Sequence, residues 1–184
     1  MKEKSSQSIF QRLIEWIYRK LKKKLLSETS KDNTTKTELL GSRTMTDNTD
    51  ILDLNAPARW DEYKYFKKQE LDCKHTGLNE MKHSFMLRLE ALRAECGFAL
   101  RIVSGYRDVS HPIERAKVSP GTHTLGVAAD IAVSHIKAHK VLEVAMRMGF
   151  SGIGINQKGS GTRFIHLDDA DQETGRPRPH VWSY

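Results

Sequence analysis

Two stretches of this sequence carry residues with metal-binding chemistry at spacings that short strands would turn onto common faces. In RFIHLDD, Arg163 to Asp169, side chains alternate along an extended backbone. Phe164, His166 and Asp168 then share one face, and Arg163, Ile165 and Leu167 the other. An imidazole and a carboxylate therefore look out together. Upstream, GTHTLGVAAD supplies His123 and Asp130 with six residues between them, and Gly126 lets the chain turn back so that both can face one point. Two imidazoles and a carboxylate suit zinc, which binds both donor types at roughly 2.0 to 2.2 Å. Three such ligands leave one tetrahedral position open, as in catalytic rather than structural sites. Taken singly, each histidine reads as an ordinary surface or core polar residue; it is their combination that points to a metal.

The segment SGYRDVSH adds Arg107 and His111 in the loop that feeds the same region. The series SGYR, a following His, GTHTLGVAADI, FIHLDD and a late Trp182 resembles the zinc D-Ala-D-Ala carboxypeptidase and L-alanyl-D-glutamate endopeptidase family, in the branch found in phage cell-wall peptidases. The likeness runs from about Trp60 to Tyr184. It implies a Hedgehog/DD-peptidase fold of the α+β class, with His123, Asp130 and His166 as Zn2+ ligands. It also implies that Arg107 meets a substrate carboxylate or polarised carbonyl, a task suited to a guanidinium's permanent charge and forked donors.

The general base departs from the family pattern. Many relatives place Glu or His shortly before the last ligand, whereas here Arg163, Phe164 and Ile165 precede His166, and none of them accepts a proton. Asp168 is the preferred candidate to take a proton from the attacking water, with His111 next. Asp168 has an alternative role, holding a ligand imidazole by a hydrogen bond.

The elements that must position these groups follow from periodicity. Asn79 is expected to cap a helix running to about Cys96, with Phe85, Leu89, Leu92 and Cys96 on one stripe and Gly97 as its stop. Phe98–Ser104 reads as a strand ending at Gly105-Tyr106. In VAADIAV, Val127, Ala129, Ile131 and Val133 share a face opposite Asp130. A second helix, about His135 to Met148, should turn Ile136, Val141, Ala145 and Met148 inward and stop at Gly149. GIGI and RFIHLDD then form a hairpin. Helices and strands do not alternate strictly, which fits an α+β domain over residues 54–184.

The chain has 184 residues, room for one catalytic domain and an appendage. Its net charge is +7, but eight of its 30 basic residues (Lys2, Lys4, Arg12, Arg19, Lys20, Lys22, Lys23, Lys24) fall in Met1–Leu26 against Glu3 and Glu15. The basicity thus belongs to an N-terminal segment, and nothing beyond bulk charge resembles a nucleic-acid module. Within it Ile9, Leu13, Trp16, Ile17, Leu21 and Leu25 recur at helical steps, so residues 1–26 read as a basic amphipathic helix. It suits docking on an anionic membrane or wall surface, helix pairing, or simple solvation. Charged residues interrupt the apolar stretch that a secretory signal needs. Residues 27–53, rich in Ser, Thr, Asn and Asp, read as a flexible linker containing Met45, a conceivable internal start.

Other signals carry less. Cys73 and Cys96 lack metal-site spacing and read as buried thiols, with one disulfide possible in an oxidising compartment. His135 and His139 lack the Glu of a zincin and read as a solvated helix face, as do His75 and His83. His180 is expected to pack on Trp182 or, as the alternative, to border the cleft. GINQKGSG has no lysine after its second glycine and is a hairpin turn rather than a phosphate loop. The expectation is therefore a zinc peptidase acting on peptidoglycan stem peptides, at the wall from the periplasmic side or from a phage particle. Its rivals are a non-catalytic zinc module that binds wall peptide or a protein partner, and a membrane-active N-terminal helix with the domain as passenger.

Overall fold

The computed structural model describes residues 55–184; the expected helix over residues 1–26, the linker over 27–53 and Met45 lie outside the described residues. In chain order the elements are helix α1 (Lys68–Leu71), α2 (His83–Cys96), strand β1 (Arg101–Ser104), α3 (Pro112–Arg115), β2 (Ala128–Ala132), α4 (His135–Met148), β3 (Gly152–Asn156), β4 (Phe164–Asp168) and β5 (His180–Ser183). The class is α+β, as expected from the pattern.

The five strands form one sheet in the order β1-β2-β4-β3-β5, antiparallel throughout except for the parallel pair β3 and β5. Alternation gives this sheet two unlike faces. Ala129, Ile131, Ile153, Ile165 and Leu167 join one buried cluster with Phe85, Met86, Leu89 and Leu92 of α2 and Ala138, Val141, Val144 and Ala145 of α4. The opposite face carries Asp130, His166 and Asp168 with two glycines, Gly152 and Gly154. Register sets these side by side. Ser104 pairs with Asp130, Asp130 with His166, His166 with Gly154, and Gly154 with Trp182, a single row across all five strands.

Several expectations needed revision. The first long helix begins at His83, not near Asn79. The backbone of residues 81–83 is committed elsewhere: Ala58 N donates to Met81 O, Lys82 N to Gly126 O and His83 N to Ala56 O. Asn79 caps a turn instead, its Oδ1 accepting from Met81 N at 3.1 Å. The strand expected over Phe98–Ser104 is shorter, Arg101–Ser104. Ile136 is 79% exposed rather than inward. At about 100° per residue it sits across the helix from Ala138, Val141, Ala145 and Met148, which form the buried stripe. His83 is buried, its Nδ1 within 2.7 Å of the Tyr63 hydroxyl, rather than solvated. Strand β5 was not foreseen. Both cysteines are buried and free.

Gly126 shows how tightly the turn before β2 is built. Its φ is +73°, and a Cβ there would lie 2.0 Å from the Glu80 carbonyl oxygen. Gly97, at φ +72°, has nothing within 4 Å. Gly97→Ala should therefore cost only the left-handed strain, about 1–2 kcal/mol, and Gly126→Ala distinctly more because fixed backbone must move. Urea unfolding of both variants with unchanged slopes checks this; equal losses would contradict it.

Candidate metal centre

His123, Asp130 and His166 are all buried, and one ligand atom from each lies within 4.8 Å of the others. Two of them come from the sheet. Asp130 and His166 are directly paired across β2 and β4, which brings Asp130 Oδ1 to 2.8 Å from His166 Nδ1. His123 comes from a 3-10 turn, Thr122–Leu125, held between Gly121 and the left-handed Gly126. Its Nε2 stands 3.3 Å from the same Asp130 Oδ1.

The outer partners of the two imidazoles decide what the inner nitrogens offer. His123 Nδ1 lies 2.6 Å from the carbonyl oxygen of Gly105, which can only accept, so Nδ1 bears the proton. A neutral His123 then aims the lone pair of Nε2 at Asp130. His166 Nε2 lies 3.0 Å from Asp168 Oδ2. Asp168 is ionised, because Arg178 grips it with Nε to Oδ1 at 3.0 Å and Nη2 to Oδ2 at 2.8 Å. His166 Nε2 must therefore carry a proton, and in the neutral ring the Nδ1 lone pair also faces Asp130. With both rings neutral, three electron-rich atoms converge on one point, and a cation between them would satisfy all three.

The electrostatics agree. Burial pushes the pKa of His123 down, which keeps it neutral. Burial acts against charge on Asp130 too, but the two imidazoles against it outweigh burial and hold this carboxyl well below the usual range. At Asp168 the same balance, with His166 and Arg178 as partners, leaves the pKa at about 2. On His166 the carboxylates Asp130 and Asp168 outweigh burial and favour positive charge. Two ligand bonds of roughly 2.0–2.2 Å at a tetrahedral angle put donor atoms roughly 3.3–3.6 Å apart. The spacings within this triad are close enough to that for the three residues to fit such an ion.

Arg107 braces the site from the far side. Its Nη2 donates to Asp130 Oδ2 at 2.8 Å, its Nε to Ser104 Oγ at 2.9 Å and its Nη1 to Glu114 Oε1 at 3.2 Å. Asp168 has no exposed side-chain surface, and its oxygens accept from His166, from Arg178 twice and from Ala170 N. His111 is not joined to the triad by a hydrogen bond: it caps α3, Nδ1 accepting from Ile113 N at 3.2 Å, and its ring meets His75. Trp182 lies against His166 at 5.3 Å and stacks on His180 at 5.7 Å. Bare glycines give this layer its room, since a Cβ at Gly154 would meet the Trp182 ring at 2.7 Å and one at Gly152 would strike the Asp168 carboxylate.

Sequence reasoning thus assembled the triad, Arg107 and Asp168, and it missed Glu114, Arg178 and the Gly105 carbonyl. The alternation of glycine with isoleucine in GIGI was the available signal for the missing layer, because a strand bare on one face invites cover. A cavity of about 450 Å³ lined by Arg101, Ser134, Gly159 and Arg163 lies at the loop of the discarded phosphate motif and does not include the triad.

A family model described as peptidase M15 matches residues 64–168, more than half of the chain, and spans all three triad residues. The chain belongs to the peptidase M15 family. No curated protein matches it. Membership and the metal-capable triad together support a metallopeptidase. In this M15 domain the pinning of His166 by Asp168 should be measurable. Asp168→Asn loses the ionised acceptor, and competition with a chromophoric chelator should show Zn2+ affinity falling roughly 10- to 100-fold. Unchanged affinity would mean that Asp168 does not orient the ligand.

Proposed function

We propose that this M15 domain is a zinc-dependent peptidase that hydrolyses an amide bond in peptidoglycan stem peptides, as a carboxypeptidase or endopeptidase. The observation that carries the reading is the convergence of three lone pairs whose outer sides are already committed. His123 Nε2, Asp130 Oδ1 and His166 Nδ1 would hold the ion. Zinc there supplies Lewis acidity toward a water molecule and toward a carbonyl oxygen.

The remaining work belongs to the chain's own side chains. Arg107 spends three of its five N–H groups on Ser104, Glu114 and Asp130, so one N–H on each terminal nitrogen is left for a substrate carboxylate or a developing oxyanion. Its 15% side-chain exposure makes it reachable from solvent. Proton transfer divides the two sequence candidates. Full occupancy of the Asp168 oxygens supports a holding role for that carboxylate rather than a mobile base. Burial together with the nearby Arg107 lowers the pKa of His111 and favours its neutral ring, but with Nδ1 accepting from Ile113 N that ring carries its proton on Nε2, so to serve as the base His111 would have to release Ile113 N.

The setting we infer is phage-type lysis or entry, at the wall from the periplasmic side or from a particle, with residues 1–26 docking on an anionic membrane or wall surface. The saturated Asp168 also favours a second reading, a zinc-containing module that binds wall peptide or a protein partner without cutting it. Digestion of purified peptidoglycan separates the two. The peptidase releases new free amines that mass spectrometry assigns to one bond; His123→Ala abolishes this release, and His111→Gln lowers it by roughly 10²- to 10⁴-fold if His111 is the base. No release from zinc-loaded protein would leave the binding module.

A further inference from the structure

Glu114 has no obvious part in the chemistry, yet its carboxylate is the meeting point of the site's supports. It sits on the single-turn helix α3 with no side-chain exposure. Its Oε1 accepts from Arg107 Nη1 at 3.2 Å, its Oε2 from Gly121 N at 2.7 Å, and both oxygens from Lys117 Nζ at 2.8 and 2.9 Å. The first bond leads to one triad member, because the same guanidinium holds Asp130 Oδ2. The second leads to another, because Gly121 is the residue from which the turn bearing His123 springs; its carbonyl accepts from Thr124 N and Thr124 Oγ1. Even the bareness of Gly121 serves the contact: an added Cβ would lie 3.0 Å from Glu114 Oε2 and 2.7 Å from Lys117 Nζ.

We infer that Glu114 is a positioning residue that sets the metal affinity of the triad, by fixing Asp130 through Arg107 and His123 through the Gly121 amide at the same time. Its charge is needed for the first task, since a guanidinium facing only Asp130 and a serine would be free to swing. A hydrogen-bond acceptor alone is enough for the second. The inference deepens the zinc reading and rests on it. A buried carboxylate elsewhere supplies the comparison. Glu90 on α2 accepts from the backbone nitrogens of Lys64, Tyr65 and Phe66 at 2.8–3.1 Å, with no link to the triad.

The test measures Zn2+ dissociation constants by chelator competition, and the visible spectrum of the Co2+-loaded protein, for wild type, Glu114→Gln, Glu114→Ala and Glu90→Gln. Glu114→Gln keeps the shape and an acceptor for Gly121 N but loses the charge, and should weaken Zn2+ binding roughly 10-fold. Glu114→Ala loses both and should weaken it roughly 100-fold, with a Co2+ spectrum altered in both variants. Glu90→Gln should lower the melting temperature and leave both metal readouts as in wild type. If Glu114→Ala fails to fold, Glu114→Gln decides. Wild-type Zn2+ affinity in folded Glu114→Gln, or an equal loss in Glu90→Gln, overturns the inference. Failure of the wild-type chain to bind Zn2+ at all overturns the zinc reading beneath it.

Discussion

One carboxylate oxygen, Asp130 Oδ1, facing two imidazole nitrogens whose rings are both held from their outer sides, is the constraint on which the rest of this structure turns. In water such an arrangement would relax by rotating a ring. Here neither ring can turn without leaving a buried donor or acceptor unpaired, at a cost of about 1–3 kcal/mol for each group. The Gly105 carbonyl fixes one ring and the Asp168–Arg178 pair fixes the other. The protein thus gathers negative charge and imidazole nitrogens in a low-dielectric place, an arrangement that a bound cation would stabilise.

The sheet makes that possible by separating its duties. One face is aliphatic and packs under the two long helices, so strands β2 and β4 are held rigidly; the other is free for polar side chains. Because paired residues stand abreast, the row from Ser104 to Trp182 brings a hydroxyl, a carboxylate, an imidazole, a bare glycine and an indole together without any loop having to be ordered for the purpose. Of the three, only His123 arrives from outside the strands, and its turn is tied at both ends, with Gly126 packed against Glu80 and Gly121 bonded to Glu114. Sites carried on strands keep their geometry cheaply, whereas a ligand on a turn needs such extra ties.

Much of this was legible from sequence because it rests on a period of two. VAADIAV and RFIHLDD announce which side chains face together, and helical spacing with glycine stops placed both long helices, one of them to the residue. What escaped lacks a period. In β5 most side chains are exposed on both faces, so HVWS carries no hydrophobic alternation to read. Lys82 looks like a helix residue until Gly126, far along the chain, claims its amide. Glu114 sits in a loop whose partners lie at Arg107 and Gly121, and Arg178 reaches Asp168 from a proline-rich tail. Each is a contact set by tertiary packing, for which local propensity holds no information. Alternation and spacing supplied the ligands and the resemblance the role of Arg107, yet the absent Glu or His before His166 gained meaning only when the Asp168 oxygens were seen to be filled.

The most direct test of the account is X-ray absorption at the zinc edge of the purified chain loaded with one equivalent of Zn2+. The account predicts a shell of nitrogen and oxygen donors only, at roughly 2.0–2.2 Å, with the multiple-scattering signature of two imidazoles. A sulfur shell at roughly 2.3 Å, or an oxygen-only shell without imidazole scattering, would contradict it.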